Sequence, residues 1–243
     1  MSHIDTSANT NRWRRKSLTE KSLLALGMLV IAISVPSWRG ALLVAAVMTA
    51  ATLLGARVSV PLWWKTITAP LGFLLIGVMA LAFQIQGAHV SLAPNGVELA
   101  VRLASRALAG VTCLLFLALT TPAADLVAGL GRIGVPAEIT ELALLVYRFL
   151  FLLTDTAETM HAAQAARLGH ITYRRHLKSL SLLIANLMPR ALSRAKALEI
   201  GLAARGWRGE LRVLSPIRHV SSAGVVAILV IEAVVLAIGL HAP

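Results

Sequence analysis

Residues 66–88 read TITAPLGFLLIGVMALAFQIQGA, a stretch without one charged side chain. A helix of about 20 apolar residues crosses the hydrocarbon core of a bilayer, so this stretch predicts one full span, with Gln84 and Gln86 meeting water near its end. On its amino-terminal side lies a short basic loop, 57–65, where Arg57 and Lys65 accompany Trp63 and Trp64. Cations that snorkel and indoles that sit at headgroup level are the composition of a membrane interface. Further upstream, apolar runs at 22–35 and 41–56 flank Pro36-Ser37-Trp38-Arg39-Gly40, whose Pro and Gly mark a tight turn. These runs predict a helical hairpin, each arm short of a full span unless it borrows flanking residues. On the other side, a turn at Pro94-Asn95-Gly96 leads into 97–121. This segment opens with Glu98, Arg102 and Arg106 on one helical face, the spacing of an internal salt-bridge ladder, and then runs uncharged from Ala107 to Thr121. The last span is 220–240, with Glu232 as its only charge, placed where it can pair with Arg102 or Arg106.

Composition extends the membrane reading to the whole chain: 57% of its 243 residues are hydrophobic, 14% are charged, and the mean hydropathy is +0.77. One membrane unit is expected. The 23 Lys and Arg against 11 Asp and Glu leave a formal charge of +12. These cations lie between apolar runs rather than along one stripe, which points to anionic membrane lipid and an acidic protein surface as partners, with no nucleic acid. The single Cys113, inside an apolar run, excludes an intrachain disulfide and a thiolate cluster, and reads as a small core residue. Residues 1–21 hold Arg12, Trp13, Arg14, Arg15 and Lys16, a cluster that anionic lipid holds at the cytoplasmic surface with Trp13 at headgroup level. They show no cleavage-site pattern, so the first apolar helix is expected to stay as an anchor. His3 and Asp5 read as solvated tail residues rather than metal ligands.

Residues 120–219 differ, with 13 Lys and Arg and 7 Asp and Glu against 10 and 4 in all the rest. A short helix is expected over 122–130, closed by Gly131, and Gly134-Val135-Pro136 starts the next. That helix, 136–168, places Ile139, Leu142, Val146, Phe149 and Leu153 at helical spacing in its first half. Its second half carries Asp155, Glu158, His161, Gln164 and Arg167, so it leaves the membrane midway. Helical pattern resumes at His176 and runs to Leu187, Pro189 marks a break or kink, a polar helix covers 190–205, and 212–219 is a linker. The two long segments end alike, in Ala166-Arg167-Leu168-Gly169 and Ala204-Arg205-Gly206-Trp207. An Arg in the last turn suits the negative end of the helix dipole, and a following Gly supplies the left-handed residue that stops the helix. Each ending therefore projects one fixed guanidinium, and the pair reads as matched contacts for an acidic groove on a soluble partner.

Topology follows from the cations. Segments 1–21, 57–65 and 122–219 hold 20 of the 23 Lys and Arg, which places them and the N-terminus in the cytoplasm. The expected fold is an all-α integral membrane protein with about five transmembrane helices plus a cytoplasmic helical coupling region. Its parts are a basic N-terminal segment, 1–21; transmembrane helices one to four, 22–121; coupling helices, 122–219; and a final transmembrane helix, 220–240. Enzyme chemistry finds no residues: there is no phosphate-cradling Gly-rich loop with its Lys, no His-Glu-x-x-His, no Gly-x-Ser-x-Gly and no aspartate cluster for magnesium. His161, His170 and His176, nine and six residues apart, do not share a helical face and read as polar surface, so no metal ligand set is expected. Glu232 alone makes a thin substrate path, although the residues leave open a stand-alone membrane transporter or channel.

Thr120-Thr121-Pro122, Gly134-Val135-Pro136, Tyr147-Arg148-Phe149, Ala163-Gln164-Ala165-Ala166-Arg167 and Ala203-Ala204-Arg205-Gly206-Trp207 together resemble the transmembrane T component of energy-coupling factor transporters. The likeness is specific over 120–208 and rests on hydropathy elsewhere. Ile4-Asp5 and the Arg-rich approach to the first span, which includes Lys21, look most like the cobalt and nickel branch, the CbiQ type. The resemblance implies a non-catalytic scaffold in a bacterial inner membrane that contacts a substrate-binding S-type membrane subunit and two ABC ATPases, for uptake of cobalt or nickel. A T component serving a vitamin is the alternative within the family. It also implies that ATP and magnesium bind to the ATPases and that this chain binds no cofactor. The family's two Ala-Arg-Gly endings, one per ATPase, map to Ala166, Arg167 and Leu168 and to Ala204, Arg205 and Gly206, with Arg148, Gln164 and Pro189 supporting the coupling region. The first ending departs from the pattern, since Leu168 stands where Gly is usual and Gly169 follows.

Overall fold

The computed structural model describes residues 3–86, 89–92, 96–206 and 220–241. Trp207, the 212–219 linker, Pro94 and Asn95 of the predicted turn, and the side chains of His3 and Asp5 lie outside what is described. The chain forms two compact units, Met1–Leu126 with Pro216–Pro243, and Val127–Ser215.

The first unit opens with α1, His3–Thr10, and a 3-10 turn, Arg12–Arg15. Next come α2, Leu18–Ser34; α3, Trp38–Ala50, which continues as a π-helical turn over Ala51–Gly55; and α4, Val60–Ala82. A two-stranded antiparallel hairpin, β1 (Phe83–Gln86) with β2 (His89–Leu92), precedes α5, Gly96–Thr120. The last helix, α9, is Ser222–His241, once α6 to α8 of the second unit are counted. The architecture is the helical membrane fold that the sequence predicts. Among the described residues, four helical stretches are long and apolar enough to cross a bilayer: Trp38–Gly55, Val60–Ala82, Gly96–Thr120 and Ser222–His241. The fifth apolar helix, α2, has 17 residues.

The loop expected at 57–65 is largely helix. Pro61 in the first turn of α4 needs no N–H partner there, so the helix starts at Val60 and ends six residues before the predicted limit of the span, in the hairpin. α5 is the central element, packed on α2, α3 and α4, while α9 lies on α2 and α3. Met28, Val44, Met48, Cys113 and Phe116 are fully buried at these crossings. In lipid such contacts act through close packing rather than removal from water. Trp13 packs partly buried against this core: its ring meets Phe116 edge-on at 5.4 Å, and Arg12 donates its backbone N–H to the Ala56 carbonyl.

Adjacent residues of α2 close two neighbouring helices at opposite poles. They are Glu20 and Lys21, at the end of the polar 1–21 segment, yet α2 begins at Leu18 and buries both. Lys21 Nζ donates to the Thr120 carbonyl at 2.7 Å, and Asn11 Nδ2 reaches the Leu119 and Thr120 carbonyls at 3.2 Å. These carbonyls end α5 and have no partner within the helix, and a cation there also suits the dipole. Glu20 Oε1 accepts the Ser221 N–H at 2.8 Å, placing an anion at the start of α9.

The expected intramembrane pairing of Glu232 is not found. Arg102 pairs with Glu98 at 2.7 Å, and Arg106 instead donates to the Val35 carbonyl at 3.0 Å, the free carbonyl just past the end of α2. The Glu232 carboxyl lies over Gly27, where a side chain would overlap it, and its buried Oε1 has no hydrogen-bond partner.

Candidate functional site

The second unit carries both endings singled out in the sequence. It contains the second half of α6, Ala123–Leu130, a 3-10 turn at Gly131–Ile133, α7, Ala137–Ala166, and α8, Tyr173–Ala204. Gly134 takes the left-handed conformation, φ 98°, that turns the chain into α7, and Pro136 is the residue just before that helix. Glu138 in its first turn favours the positive end of the dipole. α8 begins after Thr172, whose hydroxyl accepts the Arg175 N–H, and it continues without interruption past Pro189. The two helices predicted on either side of Pro189 are therefore one, 32 residues long. Proline removes one intrahelical hydrogen bond, and the 15 or more helical residues on each side carry the element through.

The two endings adopt the same backbone solution. Arg167 closes α7 with φ −91° and ψ 18°, and Arg205 closes α8 with φ −94° and ψ 10°. The residue after each is left-handed, Leu168 at φ 59° and Gly206 at φ 71°. At the first ending, Leu168 N–H donates to the Ala165 carbonyl at 3.0 Å and Gly169 N–H to the Gln164 carbonyl at 2.9 Å. These two bonds are the full Schellman cap, which satisfies carbonyls the helix leaves open. At the second, Gly206 N–H donates to the Ala203 carbonyl at 3.0 Å. Ala166, Arg167 and Leu168, like Ala204, Arg205 and Gly206, are exposed. Each guanidinium thus stands on a capped helix end, where the last carbonyls favour positive charge and no other described side chain pairs with it.

Their surroundings differ. A Cβ at Gly169 would lie 2.6 Å from Ser179 Oγ and 2.9 Å from the Gln164 carbonyl, so only glycine fits there, and Ser179 Oγ donates to the Gly169 carbonyl at 3.1 Å. The first ending is braced against the start of α8. Among the described residues, Gly206 meets nothing within 4 Å of where its Cβ would be. Of the supporting residues, Gln164 sits in the first cap with its Oε1 buried and unpartnered. Arg148 lines a cavity of about 420 Å³ with Asp155 of α7 and Arg194 of α8.

Sequence spacing missed one grouping. His161, His170 and His176 converge because the turn after Arg167 folds the chain back: His161 stacks on His170 at 4.5 Å between ring centroids, and His170 Nδ1 lies 2.8 Å from His176 Nδ1. Helical periodicity compares residues on one helix, whereas these belong to α7, the turn and α8. Both long helices also present large apolar side chains outward, among them Ile139, Leu142, Leu150, Ile184, Met188 and Ile200.

Residues 10–217 match the family model CbiQ, described as a cobalt transport protein. Over 236 residues, 97% of each chain, the sequence is 50% identical to the cobalt transport protein CbiQ of Rhodobacter capsulatus. It is 29% identical over 227 residues to the protein of the same name from Salmonella typhimurium, covering 88% of this chain and all of that one. A putative fused cobalt transport protein CbiMQ of Methanocorpusculum labreanum is 29% identical over 244 residues, 96% of this chain and 41% of the fusion.

Proposed function

We infer function from one premise: the chain belongs to the CbiQ cobalt transport protein family. It is a multi-pass membrane component of that transport family. Its role is that of the energy-coupling scaffold in an energy-coupling factor ABC importer of a bacterial inner membrane, with its N-terminus in the cytoplasm and cobalt, or nickel, as cargo. Two ABC ATPase subunits bind ATP and magnesium, while this chain binds neither and catalyses nothing.

The observation that carries this reading is the pair of matched endings, Arg167 and Arg205 in like backbone conformation at the ends of two helices of 30 and 32 residues, each followed by a left-handed residue. A guanidinium on a stopped helix offers a planar fork that bonds a carboxylate through two hydrogen bonds, which Lys does not reproduce. Two such forks on rigid rods suit acidic grooves on two like subunits. When the ATPases close around ATP, their grooves shift, and the helices carry the displacement toward the membrane as elements biased between two packings. The outward apolar side chains of α7 and α8 fit burial against membrane or subunit. The fusion relative supports a membrane partner, since natural joining of two chains marks components that work side by side. An S-type substrate-binding subunit is that partner here.

Cobalt uptake in cells expressing the complete set of subunits tests the reading. Arg205→Glu should abolish ATP-dependent uptake while the protein still reaches the membrane in wild-type amount. Wild-type uptake by the Arg167→Glu plus Arg205→Glu variant would refute it.

A further inference from the structure

We propose that His170 and His176 form a two-histidine chelate for a divalent ion of the late first transition row, set in the turn between the first helix ending and α8. Their Nδ1 atoms stand 2.8 Å apart. Two imidazole nitrogens bound side by side to a six-coordinate ion at about 2.1 Å lie about 3 Å from each other, so the spacing already matches. Small rotations that turn both lone pairs from each other toward one point complete the arrangement.

The proton balance is simple. In the ion-free pair one Nδ1 donates its hydrogen and the other accepts it. Ion binding shifts the donor ring's hydrogen from Nδ1 to Nε2, both rings stay neutral, and each Nδ1 presents a lone pair. A second observation supports the shift. Among the described residues His170 Nε2 makes no hydrogen bond, so none is broken when it takes up the hydrogen.

His161 lies flat on His170, with 22° between the ring planes, and fixes the ring without supplying a nitrogen. Among the described residues no group of three or more His, Cys, Asp or Glu is arranged to hold a metal ion, so water fills the remaining positions. The chelate ties the turn after Arg167 to the first turns of α8, in addition to the Ser179 contact. It stands or falls independently of what Arg167 docks against.

The test uses the full chain in detergent micelles, purified through a tag without histidine and carrying His3→Ala, so that this histidine contributes no chelation. Titration with Co²⁺ alone, followed by calorimetry, should show one ion per chain. Cu²⁺, which binds imidazole most tightly in the divalent series, should give an electron paramagnetic resonance spectrum with two nitrogen couplings. His170→Gln and His176→Gln should each weaken binding about tenfold or more, with unchanged circular dichroism, while His161→Ala still binds. The proposal is overturned if the parent chain binds no ion, if the His170→Gln plus His176→Gln variant binds as the parent does, or if His161→Ala loses the ion.

Discussion

The two helix endings reach one backbone geometry from different residues. At the second, Gly206 takes the left-handed position at φ 71° at no steric cost, and no described residue lies within 4 Å of where its Cβ would be. At the first, Leu168 holds φ 59° with a side chain 59% exposed, so no packing offsets a conformation that costs an L-residue about 1–2 kcal/mol. What holds it is the full Schellman cap and the fit of Gly169 against Gln164 and Ser179. The first ending is therefore strained and braced, whereas the second is relaxed at its left-handed residue. The common element, an exposed Arg on a capped helix end, is the part on which the proposed coupling role rests.

The largest effect should come from removing that common element. Arg205→Glu replaces an attraction with a repulsion and should cost about 2–5 kcal/mol of ATPase association, a loss of about thirtyfold or more in affinity. Arg167→Glu should do the same less completely, which titration of the ATPases onto each variant in micelles would resolve. Equal losses would dissolve the functional difference between the endings.

Next in size is the brace. Gly169→Ala forces a methyl into the Gln164 carbonyl and should cost about 1–3 kcal/mol locally, read as faster amide exchange over 164–176 with the second ending unaffected. Unchanged exchange there would mean that the turn is not held as described. Smaller still are two reciprocal changes at the left-handed position. Gly206→Ala should destabilise the end of α8 by about 1 kcal/mol, whereas Leu168→Gly should stabilise the first ending by about 0.5–1 kcal/mol. Thermal unfolding of the two variants checks the opposed signs, and shifts of like sign would contradict the strain at Leu168. Least of all, Pro189→Ala restores an N–H to an already continuous α8. It should lower coupled uptake by less than about tenfold while α8 itself resists exchange more strongly.

Much of this was legible from sequence, because the signals are local. Uninterrupted apolar length marks spans such as α4, α5 and α9, and an Ala-Arg stop needs only four residues to be recognised. What escaped depends on distant partners. Glu20 and Lys21 look like the polar end of a tail, and only the arrival of Ser221 and Thr120 turns them into buried caps for α9 and α5. Trp13 has the composition of a headgroup anchor but meets Phe116, more than a hundred residues away. Charge alone pairs Glu232 with Arg102 or Arg106, whereas Arg102 takes the partner one turn away on its own helix and Arg106 the Val35 carbonyl. The histidines were separated by a periodicity that ends where the chain turns back at Leu168.

The most direct test of the proposed coupling role is co-purification, in mild detergent, of the tagged chain with co-expressed ABC ATPase subunits of the same transporter family. Wild type would be compared with the Arg167→Glu plus Arg205→Glu variant, each checked for a single folded peak by gel filtration. ATPases retained by wild type and lost from the folded double variant are the predicted result. Equal retention by both would contradict docking at the two endings and move the interface elsewhere.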